Sequence, residues 1–268
     1  MKIIISHDVD HLYGRDHWLR DLVYPKLWIR ETINLCKRSI SLREWFLRCE
    51  SCFRHKRNYI HELVEFDLKH NVPSTFFFGM NKGLGMSYKP QEAKDMISFV
   101  HESGLGVGVH GICYDQREGI ENERTRFRQL MDFEPEGIRM HYVRYNNQTF
   151  QLLDMAGYNY DSTEFDKQTG ITLKNPYKVG NMWEFPVCIM DTYLPYDLEK
   201  AKKITLECIQ KAEELNCRFF TILFHDVNYC EEKKQYKMWY EWLIKYIIHN
   251  NYEIDSYKNA IKDMESGL

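Results

Sequence analysis

The sequence predicts an α/β fold in which parallel strands alternate with helices and close into a barrel. The first observation is a run of apolar, β-branched residues at the start of the chain. The second is an alternation of helical and strand-like segments from residue 57 onward, with roughly seven units. The third is that polar residues recur where the strands end, as on the active face of an α/β barrel. No linker rich in Pro, Gly or Ser divides the chain, so we expect residues 1–268 to form one domain.

The first predicted strand ends in a cluster of titratable side chains. Residues 3–5 are all isoleucine, which is typical of a short strand buried on both faces. His7, Asp8, Asp10 and His11 follow, and strand alternation points Asp8 and Asp10 to the same side. Two carboxylates at a strand tip suit a metal ligand and a catalytic base. They equally suit a helix cap at Asp10 and an arginine partner for Asp8.

Residues 11–56 form an insertion after this strand. The segment is basic and aromatic, and its spacing predicts helices near 26–37 and 41–54. Because it leaves the face where the strand ends, it is expected to form one wall of a cleft. Its Arg and Lys side chains, with Arg15 and Arg20 as the first candidates, would pair with phosphate or with a membrane surface. The alternative is a solvated helical pair that packs on the main body.

After the insertion, the apolar spacing predicts a regular alternation of helices and strands. The predicted helices are 57–70, 90–103, 121–132, 147–156, 198–215 and 235–249. The predicted strands are 74–79, 105–110, 137–142, 158–162, 182–190, 219–224 and 252–255. Because strands linked by crossover helices are parallel, their carboxyl ends should meet on one face.

Composition narrows the functional class. The net charge of -3 gives no general field for nucleic acid, and the aromatic content of 15% suits stacking against sugar rings. No apolar run approaches the roughly 18 residues that a transmembrane segment needs. The strand begins directly after Met1 with no signal peptide ahead of it, so we expect a cytoplasmic protein whose 8 cysteines are free thiols.

Polar side chains lie at the carboxyl ends of five predicted strands. They are Asp8, Asp10, His110, Arg139, His141, Asp161, His225 and Asp226. A histidine at one strand end usually has a structural hydrogen bond, but the coincidence over five strands indicates a site. Asp together with His is the ligand set of a borderline divalent metal such as Zn²⁺, with Fe²⁺, Co²⁺ or Ni²⁺ as alternatives.

Five short motifs occur in order along the chain. They are Ser6-His7-Asp8-Val9-Asp10, His110-Gly-Ile-Cys-Tyr114, Arg139-Met-His141-Tyr142, Tyr160-Asp161-Ser162 and Ile222-Leu-Phe-His225-Asp226. Their order resembles the polysaccharide deacetylase family, which is carbohydrate esterase family 4 or the nodulation deacetylase homology domain. The resemblance implies an irregular (β/α)7 barrel, with the helical insertion after strand 1, that removes N- or O-acetyl groups from carbohydrates with a bound divalent metal. The variant motifs also resemble bacterial proteins of surface-polysaccharide biosynthesis, which implies an acetylated sugar or glycan, nucleotide- or lipid-linked, as substrate.

The sequence departs from the family pattern at two motifs. Tyr114 stands where the second motif has its second His, and His141 stands where the third motif has Pro. A neutral phenol is a poor ligand for Zn²⁺, so His141 on the neighbouring strand is the candidate replacement. The alternative is a degraded metal site.

The resemblance, carried over residue by residue, implies a role for each candidate. Asp10, His110 and His141 would bind the metal, Asp8 would be the base, Arg139 would hold Asp8 charged, and His225 would be the leaving-group acid. Asp161 or Asp226 would orient His225, although Asp226 also suits a helix cap. Tyr142, Tyr114, Glu184, Asp191 and Asp226 are the candidates for binding substrate.

Three functions remain open from the sequence. The first is a sugar deacetylase in surface-polysaccharide metabolism. The second is a non-catalytic carbohydrate-binding protein on a degraded deacetylase fold. The third is an amidohydrolase that acts on a non-sugar C–N bond.

Overall fold

The computed structural model of the protein describes residues 1–14, 23–54, 57–86 and 88–266. Within these ranges ten strands form one sheet, and there are nine α-helices. The strands are β1 (Lys2–Val9), β2 (Thr75–Gly79), β3 (Gly106–Gly111), β4 (Ile138–Met140), β5 (Tyr160–Asp161), β6 (Tyr177–Val179), β7 (Met182–Glu184), β8 (Val187–Met190), β9 (Phe219–His225) and β10 (Glu253–Asp255). The helices are α1 (Val23–Cys36), α2 (Leu42–Ser51), α3 (Ile60–Lys69), α4 (Pro90–Glu102), α5 (Arg117–Met131), α6 (Thr149–Met155), α7 (Leu198–Glu214), α8 (Lys234–His249) and α9 (Tyr257–Glu265).

The sheet curls into an irregular barrel. Its hydrogen-bonded order is β6-β7-β5-β4-β3-β2-β1-β9-β8, with β10 beside the start of β1. Only Phe185 and Pro186 separate β7 from β8 in the chain, so this segment joins the two sides of the sheet. Counted as one interrupted strand, β7 and β8 complete seven parallel strands. The (β/α)7 arrangement implied by the motifs is therefore confirmed.

Strand alternation separates the barrel interior from the outer layer. Phe77 of β2 and Tyr160 of β5 lie on strands that are not neighbours, yet their ring centroids are 6.4 Å apart. Such a contact is only made across the interior, where Ile4 joins the same cluster. Ile3 and Ile5 of β1 belong instead to the larger core between the sheet and the helices. Asp8 therefore has the interior orientation of Ile4, since both are at even positions.

Most predicted elements are present, and the differences have local causes. The predicted strand 182–190 is interrupted at Pro186, because proline has no N–H for a ladder hydrogen bond. The predicted strand 158–162 shrinks to the two residues of β5. The short antiparallel β6 and the C-terminal α9 were not predicted. Ser256 is the N-cap of α9, and its side chain accepts the N–H of Asn259 at 3.2 Å.

The insertion contains α1 and α2, close to their predicted positions. Arg48 of α2 is buried and donates to Glu31 Oε2 of α1 at 2.5 Å. Its Nε donates to the backbone carbonyl of Glu232 at 2.8 Å. These bonds attach the helical pair to the segment that follows β9, so the insertion lies at the face where β1 and β9 end.

Two compositional expectations are met within the described ranges. All eight cysteines are free thiols. No described helix combines the length and the apolar character that crossing a bilayer requires.

We predict that Gly108→Ala lowers the free energy of unfolding by about 1–3 kcal/mol, which is the usual cost of inserting an extra methyl group into a well-packed core. A Cβ at Gly108 would lie 2.7 Å from the ring of Phe77 and 2.8 Å from the carbonyl oxygen of Gly137. Neither neighbour can move freely, since one is buried and the other is backbone. Urea unfolding followed by circular dichroism measures the change, with the exposed helical variant Lys94→Ala as control. Equal midpoints for both variants would contradict this account of β3 packing.

Candidate metal centre and active site

The parallel register brings the predicted strand ends together. Asp8 of β1 is paired in register with His225 of β9, and His110 of β3 with Arg139 of β4. Because β1, β3, β4 and β9 all run in the same direction, the residues at and just beyond their ends share one mouth of the barrel.

Three potential ligand atoms converge at this mouth. His110 Nε2 and His141 Nδ1 each lie 3.2 Å from Asp10 Oδ1, and the two nitrogens lie 3.1 Å apart. Both histidines are buried, and Asp10 Oδ1 has no hydrogen-bond partner among the described residues. Asp10, His110 and His141 are the one group of His, Cys, Asp and Glu in the described chain that could hold a metal ion.

The other ring nitrogens show why a cation fits this triangle. His110 Nδ1 lies 3.0 Å from the carbonyl oxygen of Arg139, and His141 Nε2 lies 3.1 Å from that of Leu84. A carbonyl only accepts, so each of these nitrogens carries the ring proton. In the neutral rings, the unprotonated nitrogens, His110 Nε2 and His141 Nδ1, then face each other and the Asp10 carboxylate. Three acceptors this close repel unless a cation lies among them, and backbone carbonyls commonly orient metal-binding histidines in this way.

The electrostatics of the triangle favour positive charge. Burial raises the pKa of Asp10, but His141 and His110 outweigh it and hold that pKa well below its usual range. Burial lowers the pKa of His110, but the carboxylates of Asp8 and Asp10 outweigh it and raise that pKa. Both shifts favour a cation at this point, whether it is a proton or a metal.

Asp8 is held by a fully buried arginine. Arg139 Nη1 donates to Asp8 Oδ1 at 3.0 Å, and the Arg139 side chain has no solvent exposure. The second Asp8 oxygen, Oδ2, lies 3.6 Å from His110 Nε2. Asp8 also lines the cavity at the barrel mouth. One carboxylate oxygen is therefore fixed by arginine, while the other is beside the candidate metal ligands.

His225 has a different carboxylate partner from the two that the sequence suggested. Asp191 Oδ1 lies 2.7 Å from His225 Nδ1, and Asp191 Oδ2 accepts the backbone N–H of His225 at 2.9 Å. Asn228 Nδ2 donates to the same Oδ2 at 2.7 Å. His225 Nε2 is left facing Asp10 Oδ2 at 4.0 Å. Asp191 follows β8 directly, so its position at a strand end was the signal that could have identified it as this partner.

A strained turn borders the same mouth. Tyr142 and Val143 have φ of 59° and 42°, in the left-handed region that β-branched residues rarely adopt. Both residues line the cavity, and the Tyr142 side chain is 58% exposed. Strain at such a position commonly marks a functional constraint.

Three further predicted residues lie away from the cavity. Asp161 and Glu184 are buried together, and Glu184 accepts the backbone N–H groups of Thr163 and Glu164 at 3.1 and 2.8 Å. Burial and the neighbouring Asp161 raise the pKa of Glu184. Tyr114 instead packs under the guanidinium of Arg144, 4.8 Å from its ring centroid, at a separate surface hollow.

Asp226 also has a structural contact. Its Oδ2 accepts the backbone N–H of Tyr59 at 3.2 Å, at the start of α3. Burial raises the pKa of Asp226 to about 8, so it carries a proton at neutral pH. This bond lies just before α3, whose first turn has no side-chain cap among the described residues.

The mouth opens into a cavity of 860 Å³. Its lining includes the metal-ligand triangle, Asp8, His225, Tyr142 and several cations from the insertion and from the segment after β9. Arg15 and Arg20, the cations singled out from the sequence, lie outside the described residues.

Comparison with known proteins supports the fold more than any single activity. No model of a protein family matches the chain, and no curated protein matches it in sequence. Solved structures do match. A protein assigned to the polysaccharide deacetylases from Mycobacterium smegmatis superposes with a TM-score of 0.65 at 15% identity, over 99% of this chain and 90% of that one.

Two other structural matches limit what the fold implies. The 4-alpha-glucanotransferase from Thermococcus litoralis has a TM-score of 0.55 at 14% identity, over 98% of this chain but 40% of the larger enzyme. A CE4 family pseudoenzyme from Bacillus anthracis has a TM-score of 0.51 at 8% identity, over 96% of this chain and 64% of that one. The fold therefore accommodates different chemistries and also inactive proteins, and the function has to be argued from the site.

We predict that Asp10→Ala, His110→Ala and His141→Ala each weaken Zn²⁺ binding by at least ~100-fold. Loss of a residue that only hydrogen-bonds a metal ligand already lowers metal affinity by up to about 100-fold, and loss of the ligand itself should cost at least as much. Metal content after dialysis and competition with a chromogenic chelator measure the affinity. Tyr114→Phe is the control, because Tyr114 does not line the cavity. Unchanged affinity in His141→Ala would show that this residue does not replace the missing motif histidine.

Proposed function

We propose that this chain, which has the fold of the carbohydrate esterase family 4 polysaccharide deacetylases, is a metal-dependent hydrolase that removes an acetyl group from a carbohydrate. The observation that carries the proposal is the convergence of Asp10, His110 and His141, with the Asp8 carboxylate held by Arg139 and the His225 imidazole held by Asp191 beside them. Acetate release by the metal-loaded protein from a panel of N- and O-acetylated sugars tests it.

The residues of the triangle fit a divalent metal, and Zn²⁺ is the proposed ion because two imidazoles and a carboxylate are among its usual ligands. A bound divalent metal supplies Lewis-acid polarisation of the acetyl carbonyl and lowers the pKa of water. His110 and His141 are pre-oriented for it by the carbonyls of Arg139 and Leu84.

Asp8 is the proposed general base. The Arg139 guanidinium stabilises its charged form through Oδ1, which leaves Oδ2 to accept a proton from the attacking water. Arg139 Nη2 donates to the hydroxyl oxygens of Ser6 and Ser162, each at 2.8 Å. The arginine is thereby fixed, and it keeps the Asp8 carboxylate in one position.

His225 is the proposed general acid. Asp191 holds its Nδ1 side, so the proton for the leaving nitrogen or oxygen is on Nε2, which faces the mouth. Burial lowers the pKa of His225, but the Asp191 charge outweighs it and raises that pKa to about 10. At neutral pH the imidazole is therefore charged and ready to donate.

The backbone N–H of Tyr142 is the proposed donor to the oxygen that becomes negative during attack. The left-handed turn at Tyr142 and Val143 carries the main chain along the cavity wall, where a backbone donor costs no rearrangement during reaction. The side chain of Tyr142, exposed in the cavity, would stack on the sugar ring.

The proposed substrate is an acetylated sugar or glycan, free or carried on a nucleotide or a lipid. The rival is a non-catalytic carbohydrate-binding protein, and the pseudoenzyme among the structural matches gives it weight. A binding protein has no need of both a base held by arginine and an acid held by a carboxylate. Both pairs are intact here, and they favour the enzyme.

We predict that Asp8→Asn lowers kcat by about 10²–10⁴-fold, the usual contribution of a general base, while Zn²⁺ affinity stays near that of the wild type. Acetate release and metal content are measured on the same preparations. Asp95→Asn, on the exposed side of α4, is the matched control. If Asp8→Asn keeps full activity, another group must take the proton.

We predict that Asp191→Asn moves the alkaline limb of the kcat profile to lower pH. Asp191 raises the pKa of His225, so removing its charge lets that pKa fall, and the protonated acid is lost at a lower pH. The measurement is the pH–rate profile from about pH 6 to 11. An unchanged alkaline limb would mean that His225 is not the acid of the rate-limiting step.

A further inference from the structure

Part of the cavity lining is a group of four cations, here called the cation cluster. Its members are Lys26 and Arg30 of α1, Arg57 before α3, and Lys233 before α8. Among the described residues, the cavity lining has two carboxylates, Asp8 and Asp10, and these are engaged by Arg139 and by the histidines of the triangle. The described part of the lining therefore carries more positive than negative charge even before a metal binds.

The acidic residues beside the cation cluster do not neutralise it. Glu31 contacts Arg30 at 2.9 Å but also contacts the buried Arg48 at 2.5 Å, so two arginines share one carboxylate. Glu232 is engaged by Arg54. Within the described chain, no carboxylate lies at salt-bridge distance from the side chains of the other three members.

Two members of the cation cluster have no anionic partner among the described residues. Arg57 stacks on the ring of Tyr24, 4.9 Å from its centroid, and its Nε is buried with no hydrogen-bond partner among the described residues. The pKa of Lys233 is lowered to about 8, first by burial and then by neighbouring arginine charges. Positioned cations that repel one another are typical of a site completed by an anionic ligand.

The cation cluster is connected to the proposed general acid. Lys233 Nζ donates to Asn228 Oδ1 at 2.5 Å, and Asn228 Nδ2 donates to Asp191 Oδ2 at 2.7 Å. Asp191 in turn holds His225. This row of hydrogen bonds places the cation cluster next to the side of the site where the leaving group would be.

We propose that the cation cluster is a subsite for a phosphate or pyrophosphate ester of the acetylated sugar, on the leaving-group side of the bond that is cleaved. The assignment of the leaving-group side rests on the proposed deacetylase function, whereas the binding of the phosphate does not. Arginine forks and lysine ammonium groups are the usual ligands of phosphate oxygens. A neutral polysaccharide would leave these charges uncompensated.

The phosphate ester could join the sugar to a nucleotide or to a lipid, and both present the same group to the cation cluster. The lipid arm is included because α1, which supplies Lys26 and Arg30, and the neighbouring segment of α2 also expose large apolar side chains. These are Trp28, Ile29, Ile33, Leu42, Phe46 and Phe53, with exposures from 39% to 69%. Uridine diphosphate and phosphatidylcholine vesicles containing a polyprenyl phosphate are the two probes, each tested for displacement of bound pyrophosphate.

The deciding experiment is calorimetric titration of the Zn²⁺-loaded protein with inorganic pyrophosphate. We expect Lys26→Ala/Arg30→Ala and Lys233→Met each to raise the Kd at least tenfold, and added NaCl to weaken binding to the wild type. Lys26 and Arg30 are exposed, so the double variant is expected to fold even if Lys233→Met does not. Lys245→Ala, an exposed lysine on α8 away from the cavity, should bind as the wild type does.

Two results would overturn the subsite. One is an unchanged Kd in the folded double variant. The other is a loss of pyrophosphate binding in His110→Ala alone, which would place the anion on the metal.

Acetate release from acetylated sugars and from their 1-phosphates distinguishes failure of the subsite from failure of the deacetylase proposal. Binding that depends on the cation cluster without acetate release would reject the deacetylase and keep the subsite. Acetate release at the same rate from the acetylated sugars and from their 1-phosphates would keep the deacetylase and reject the subsite.

Discussion

The ion pair between Arg139 and Asp8 is the interaction on which the rest of the site depends. A buried guanidinium without compensation would cost several kcal/mol, so every donor of Arg139 has to be matched. Nη1 contacts Asp8, Nε donates to the carbonyl of Ser162 at 2.7 Å, and Nη2 reaches Ser6, Ser162 and Tyr257. The guanidinium also stacks over Phe77 at 4.6 Å. One charge thereby ties β1, β4, β5 and α9 together inside the barrel, and it forces its carboxylate partner to remain at the mouth.

At the mouth of the barrel, Asp8, Asp10 and His225 lie close together but have different partners. Asp8 is neutralised from inside the barrel by Arg139, and Asp10 is left for the two histidines of the triangle. His225 is held by Asp191 through Nδ1, and its Nε2 faces Asp10 Oδ2 at 4.0 Å. Each titratable group therefore has its own partner, so that the proposed base, ligand set and acid can coexist within one cavity. The buried Asp161–Glu184 pair, in contrast, has its hydrogen bonds inside the fold and supports the strand ends from behind.

The insertion after β1 extends the same electrostatic pattern outward. Arg48 and Glu31 fix its two helices to each other and to the segment after β9, and this anchoring brings Lys26 and Arg30 to the cavity. The barrel alone supplies the chemistry of the site, while the insertion supplies positive charge that the chemistry does not require. That division is the reason to look for substrate selectivity in the insertion rather than in the strand ends.

The sequence by itself indicated the barrel and the shared position of Asp8, Asp10 and the three histidines at the strand ends, because these follow from local backbone rules. Strand alternation set Asp8 and Asp10 on one side, and parallel strands ending on one face brought His110, His141 and His225 to them. Which carboxylate contacts His225 was decided only by the tertiary structure. Asp161, Asp191 and Asp226 all follow or end strands, and the choice of Asp191 depends on the packing of β8 beside β9.

The direction of side chains in irregular segments was equally beyond the sequence. Tyr114 lies in the loop after β3, where neither the two-residue period of a strand nor the 3.6-residue period of a helix fixes the direction of its side chain. Its ring packs against Arg144 and does not line the cavity. Arg57 and Lys233 are 176 positions apart in the chain, and their approach depends on how the insertion folds back onto the segment after β9. Local periodicity specifies which face of a strand a residue occupies, whereas long-range packing specifies which residue it meets there.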